Sequence, residues 1–219
     1  AQMEGLTTAV MDAGAAGVMI APPGHLRTDD QIVAYYHQAA EFIGDAPFVV
    51  QDFPLVTGVQ MSVPVIVRIV RDLPGCVCLK HEDWPGLEKI GTLRKAGVLD
   101  RRISILCGNG GVFLPEEMVR GADGAMTGFA YPEMMVSVVR NHLDGTPERG
   151  RDLFDAYLPL ARFEQQPGLG LAIRKHVLAK RGVIAHPTQR RPGAALSVAG
   201  VAEVELLMAR LDRRLAELG

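Results

Sequence analysis

Short, unbroken apolar runs alternate along this chain with longer stretches whose apolar residues recur every three to four positions. The runs are Gly17–Pro22, Pro47–Asp52, Cys76–Lys80, Ile103–Cys107 and Asp123–Gly128, each bounded by Gly, Pro or Asp. Continuous apolar character over so few residues is how a strand covered on both faces reads. The intervening stretches read as helices. Asp29–Ile43 carries Ile32, Tyr35, Tyr36, Ala39 and Phe42 at helical spacing, and Ser62–Asp72 opens on a serine cap and carries Val65, Ile66, Ile69 and Val70. Gly86–Ala96 and Leu114–Arg120 are shorter, and Gln2–Ala13 runs into the first strand. Strand–helix alternation predicts parallel strands joined by right-handed crossovers. After Gly128 the strand pattern stops, and Tyr131–Leu143, Pro147–Glu164, Leu169–Arg181 and Val198–Leu218 all read as helices. The expected organisation is an α/β body over 1–145 and a helical extension over 146–219.

Composition narrows the function classes. The chain has 219 residues, 48% hydrophobic and 22% charged, with a formal net charge of −2. That suffices for a real core and gives no electrostatic case for nucleic acid or an anionic membrane. No apolar run approaches the roughly 20 residues of a membrane helix. The start lacks an initiator methionine and a signal-peptide pattern, so a cytoplasmic protein, here as a fragment, is expected. Three cysteines fit a reducing compartment. Simple alternation puts Cys76 and Cys78 on one face, but with no second pair and no close histidine pair no metal is expected.

The chemistry centres on Lys80, which closes an apolar strand and is followed by His81-Glu82-Asp83. Desolvation disfavours an ammonium, and a lysine so placed can become a nucleophilic amine that forms a Schiff base with a carbonyl. The alternative is a lysine that snorkels from a strand end into solvent. Asp52 and Glu82 also stand at strand ends, as acid/base candidates or as turn and cap residues. Glu82 returns to the lysine's face if the strand continues that far, and only one of Gln51 and Asp52 can share that face. Trp84 and Phe129 are cleft-lining or packing aromatics. Cys107-Gly108-Asn109-Gly110-Gly111 is either a phosphate-cradling loop or a loop that needs positive φ angles.

Five motifs, in order, resemble the dihydrodipicolinate synthase / N-acetylneuraminate lyase family. They are Ala15–Pro23, Asp52-Phe53-Pro54 with Thr57-Gly58, Leu79-Lys80, Cys107-Gly108-Asn109, and Gly121–Gly128. The resemblance implies a (β/α)8 barrel, here strands four to eight only, with a C-terminal helical extension. It implies that Lys80 forms a Schiff base with a pyruvate-type 2-keto acid, that no cofactor is needed, and that the protein is a homo-oligomer. Gln51, Cys107, Gly108, Asn109, Met126 and Thr127 become substrate-binding candidates, and Asp52 and Glu82 acid/base candidates. The match favours Gln51 over Asp52 as the residue facing the axis. The sequence also departs from the family. It begins in the third helix, without the loop that holds the keto acid's carboxylate. Gln51 stands where the family has a proton-relaying tyrosine, the second relay tyrosine falls near Pro23-Gly24, and Val56 replaces an anion-binding arginine. An amide cannot give and take a proton as a phenol does. A related aldolase or dehydratase is therefore expected rather than a lysine-pathway synthase. The rivals are a phosphate-binding barrel and an inactive or truncated relative serving only in assembly.

Overall fold

A computed structural model describes residues 2–83 and 86–219, so Trp84 and Pro85 lie outside the described residues. The chain divides into two compact units, residues 1–107 with 119–123, and residues 108–118 with 124–219.

The first unit runs α1 (Gln2–Asp12), β1 (Val18–Ile20), α2 (Asp29–Ile43), β2 (Phe48–Asp52), α3 (Pro54–Thr57), α4 (Val63–Asp72), β3 (Cys76–His81), α5 (Leu87–Leu93) and β4 (Ser104–Cys107). The strands β1 to β4 are parallel and lie side by side in chain order. The expected alternation is thus present, with strand ends trimmed by a residue or two and β3 one residue longer. Local chemistry sets the helix starts. Thr28 and Gln31 form a reciprocal capping box on α2, and Ser62 accepts the Val65 N–H at the start of α4. Each such cap contributes about 1 kcal/mol. The four-residue α3 was not apparent from periodicity. Pro54 starts it, and Gly58, in the left-handed region at φ 70°, closes it. Helix α4 buries Val65, Ile66, Ile69 and Val70, the stripe its spacing predicts, and packs on β3 and against α2 and α5.

The cysteines need a correction. The β2–β3 register shifts between Phe48 and Val49, so Cys76 pairs with Phe48 but Cys78 with Val49. Consecutive residues of β2 leave opposite faces of the sheet. The irregularity at Val77 therefore splits the two cysteines between faces, which simple alternation does not foresee. Burial pushes the Cys76 thiol up to about 12 and raises that of Cys78.

Asp123 closes the unit. Its carboxylate accepts from Arg94 Nη2 at 2.6 Å, from the Ile105 N–H at 2.8 Å and from Arg102, and its own N–H donates to Ile105 O at 2.8 Å. Burial raises its pKa, but the Arg102 hydrogen bond, the Ile105 N–H and the Arg94 charge together outweigh burial and hold it below the usual 3.8. A carboxyl with a depressed folded pKa adds stability above its unfolded value, and that stability is lost as pH falls through the folded one. Asp123→Asn should cost about 1–2 kcal/mol in a urea melt at pH 7, allowing for partial solvent screening. The difference from wild type should shrink as the pH is taken below the ordinary carboxylate range.

The second unit holds a 3₁₀ turn (Asn109–Gly111), α6 (Leu114–Val119), β5 (Gly124–Ala125), α7 (Pro132–Leu143), α8 (Pro147–Glu164), α9 (Gly170–Lys180) and α10 (Val198–Leu218). Helix α8 packs against α7, α9 and α10. Its core gathers Met134, Leu160, Ile173, Val177, Val204 and Leu211. Glu164, buried at the end of α8, bonds Arg174 Nε at 2.5 Å and the Ala130 N–H at 3.1 Å, and burial raises its pKa despite the arginine. Phe129 packs against Tyr131 and Tyr157 with ring centroids 5.8 and 6.4 Å away, a packing role.

Candidate active site

The strand ends of β2 and β3 build the site. Gln51 is in register with Lys80, and Asp52 with His81. The ladder goes one step further, because the Glu82 N–H donates to Asp52 O at 2.8 Å. Residues in register share a face and neighbours along a strand do not. Gln51, Lys80 and Glu82 therefore come together on one side, and Asp52 and His81 on the other.

On the first side, Gln51 Nε2 donates to Glu82 Oε2 at 2.6 Å, and Lys80 Nζ lies 3.4 Å from the same oxygen. The Lys80 side chain is 14% exposed and that of Glu82 6%. Little water screens the pair, so their attraction is stronger than that of a surface pair at the same distance. A carboxylate this close can take a proton from the lysine nitrogen and return it, while the Gln51 amide fixes which oxygen faces the lysine.

On the second side, Asp52 is fully buried. It meets Lys89 Nζ at 2.8 Å and His81 Nδ1 at 3.5 Å, and His81 Nε2 lies 3.0 Å from Gly86 O. As an acid/base candidate Asp52 is thus misplaced, because strand parity turns it away from Lys80. Cys107 is in register with His81 and fully buried, so it too turns away from the lysine's face, where Leu106 takes its place in register with Lys80.

The other candidates belong to the second unit. Asn109, Gly110 and Gly111 all take positive φ, at 49°, 67° and 67°. Asn and Gly are the residues that tolerate this region. The Gly110 N–H donates to Thr127 Oγ1 at 2.7 Å and the Gly111 N–H to Gly108 O at 2.9 Å. The turn thus engages these two amides internally, which takes them from a phosphate. Met126 lies just beyond β5, half-buried. Among the described residues, no group of three or more His, Cys, Asp or Glu is placed to hold a metal, and no helix is long and apolar enough to cross a membrane.

Sequence reading missed Lys89. It looks like an ordinary surface charge in a short helix. Its signal is position: it stands one turn before Leu93 and beside Ile90, both buried, so it lies at the margin of the helix's core-facing stripe.

Comparison with known proteins gives the family and the fold. Residues 4–210 match the dihydrodipicolinate synthetase family. An L-2-keto-3-deoxyarabonate dehydratase from Azospirillum brasilense is 29% identical over 203 residues, 91% of this chain and 64% of that protein. A 4-hydroxy-tetrahydrodipicolinate synthase from Thermus thermophilus is 28% identical over 152 residues, 68% of this chain and 49% of that protein. The chain thus matches about half to two thirds of the length of these relatives. A crystal structure of a dihydrodipicolinate synthase from Rhodopseudomonas palustris superposes with a TM-score of 0.91 at 55% identity, covering 94% of this chain and 70% of that one. The fold is that of the later strand–helix units of a (β/α)8 barrel followed by a helical region.

Proposed function

This chain belongs to the dihydrodipicolinate synthetase family, and on that premise we propose that it is the larger part of a Schiff-base-forming lyase acting on a 2-keto acid or keto sugar acid. Lys80 is the nucleophile. The observation that carries the reading is the cluster of Gln51, Glu82 and Lys80 on one face, with both the amide and the amine directed at one carboxylate oxygen.

In this mechanism Glu82 takes a proton from the Lys80 ammonium, and the free amine adds to the keto carbon. A proton passes from the new ammonium nitrogen to the alkoxide, and the resulting hydroxyl takes the proton back from Glu82 and leaves as water, giving a protonated iminium. The iminium draws electrons from the bond to C2 and acidifies the C3–H. Glu82 lies close enough to the nitrogen to reach that proton, and the enamine that results expels a C4 hydroxyl, which leaves as water with the proton from Glu82. Water then hydrolyses the iminium and frees Lys80. Elimination of water is the branch we favour. Gln51 cannot take the hydroxyl proton whose removal starts C–C cleavage, and a 29%-identical relative is a dehydratase. Val56, exposed and apolar, cannot supply the anion-binding charge of the lysine-pathway synthases. Homo-oligomeric assembly, a cytoplasmic location, chemistry without cofactor or metal, and residues 146–219 as the family's helical extension belong to the same proposal, which rests on the resemblance.

The test is to incubate the full-length protein with pyruvate and borohydride and to map the adduct by peptide mass. Reduction should place the added mass on Lys80. Incubation with a 3-deoxy-2-keto sugar acid should yield the dehydrated keto acid. Pyruvate and an aldehyde in its place would overturn the choice of branch, and an adduct on another lysine would overturn the nucleophile.

A further inference from the structure

Behind the strand ends, on the face that Lys80 does not use, Lys89 Nζ meets three acceptors: Asp52 Oδ2 at 2.8 Å, Asp83 Oδ2 at 2.7 Å and Met61 O at 2.7 Å. An ammonium has three protons, and here all three are committed. The side chain is 12% exposed and Asp52 is fully buried. The partners come from three places: the last residue of β2, the segment that leads into α4, and the residues just past β3.

Their place in the chain is the telling feature. Asp52 follows Gln51 directly, and Asp83 follows Glu82. Each acid that Lys89 holds is therefore the neighbour of a residue that meets at the Glu82 carboxylate. Because neighbours on an extended chain leave opposite faces, pinning Asp52 and Asp83 from behind fixes the backbone from which Gln51 and Glu82 project forward. The backbone bond from the Glu82 N–H to Asp52 O ties the same two strand ends once more.

We propose that Lys89 is a positioning residue for the reaction: it clamps Asp52 and Asp83 so that Gln51 and Glu82 converge on Lys80. The inference rests on the lyase reading above. Lys89 does not touch substrate. It acts through the 2.6 Å bond between Gln51 and Glu82, and a shift on the order of 1 Å at such a site costs about 10²-fold in rate. The clamp calls for an ammonium. A guanidinium carries its donors in a plane and cannot place three bonds around one atom.

The test uses the full-length protein, with active sites counted as Lys80 trapped by pyruvate and borohydride. Lys89→Met should lower kcat per trapped site about 100-fold, with KM changed less than about threefold. In a Glu82→Gln background the same change should cost less than about threefold, because the group it positions is already gone. Asp83→Asn, which keeps the lysine and Asp52, should lower kcat about tenfold and serves if Lys89→Met does not fold. A fall in melting temperature with kcat per trapped site unchanged would overturn the proposal, since it marks a structural role only. So would a full 100-fold loss in the Glu82→Gln background. A wild-type protein that traps pyruvate elsewhere than on Lys80 would instead remove the lyase reading, and this inference with it.

Discussion

Lys80→Ala in the full-length protein should remove turnover of a 2-keto acid by on the order of 10⁴-fold or more, together with the adduct that borohydride traps from pyruvate. In the proposed mechanism the whole acceleration runs through a covalent bond to this nitrogen, so no neighbour can supply a fraction of it. Lys89 is the nearest candidate in kind, and its ammonium is fully committed to Asp52, Asp83 and Met61 O. Lys80→Arg should be as inactive as the alanine variant, because a guanidinium stays protonated and cannot attack a carbonyl. The arginine variant matters as a control. It keeps a positive charge beside Glu82, so its inactivity cannot be put down to an unpaired buried carboxylate. Steady-state rates for both variants, with peptide mapping after reduction, check the expectation. An adduct that forms at wild-type yield in Lys80→Ala would show that the nucleophile is elsewhere.

Much of this site was legible in the sequence because it depends on local order. Lys80 stands one residue before the end of its strand, and strand ends are where a barrel of this kind does chemistry. Helices α8 and α10 have the expected bounds, since Pro147 and Ser197 mark their starts. What escaped depends on register and on contacts between distant residues. Composition leaves Gln51 and Asp52 equally plausible; the family resemblance favours Gln51, and the pairing with β3 puts Gln51 on the lysine's face. The irregularity at Val77 breaks the parity argument for Cys76 and Cys78, because alternation holds only while the ladder is regular. The stretch Asp123–Gly128 shrinks to Gly124–Ala125, since its glycines have little strand preference. Lys89 reaches across 37 residues of sequence to Asp52, and no local pattern encodes that contact.

Glu82→Gln should lower kcat by about 10²- to 10⁴-fold while leaving the Lys80 adduct with pyruvate detectable. The substitution isolates one property. The new amide keeps the size of the side chain, and its oxygen can still accept from Gln51 Nε2, so the 2.6 Å bond and the course of the strand end survive. What disappears is the capacity to carry a proton and the negative charge 3.4 Å from Lys80 Nζ. These losses act differently on the two halves of the reaction. Removing the charge leaves the Lys80 nitrogen in place, so addition to the keto carbon is not blocked. Removing the proton carrier slows every step that moves a proton: loss of water from the carbinol, loss of the C3 proton and departure of the C4 hydroxyl. The signature is therefore a variant that is trapped by borohydride yet turns over poorly. Glu82→Asp should fall between the two, because it keeps the acid on an arm one methylene shorter. Single-turnover kinetics with pyruvate, set beside steady-state dehydration, separates the halves. A Glu82→Gln protein whose kcat stays within about threefold of wild type would assign the proton transfers to another group and leave Gln51 and Glu82 as a structural pair.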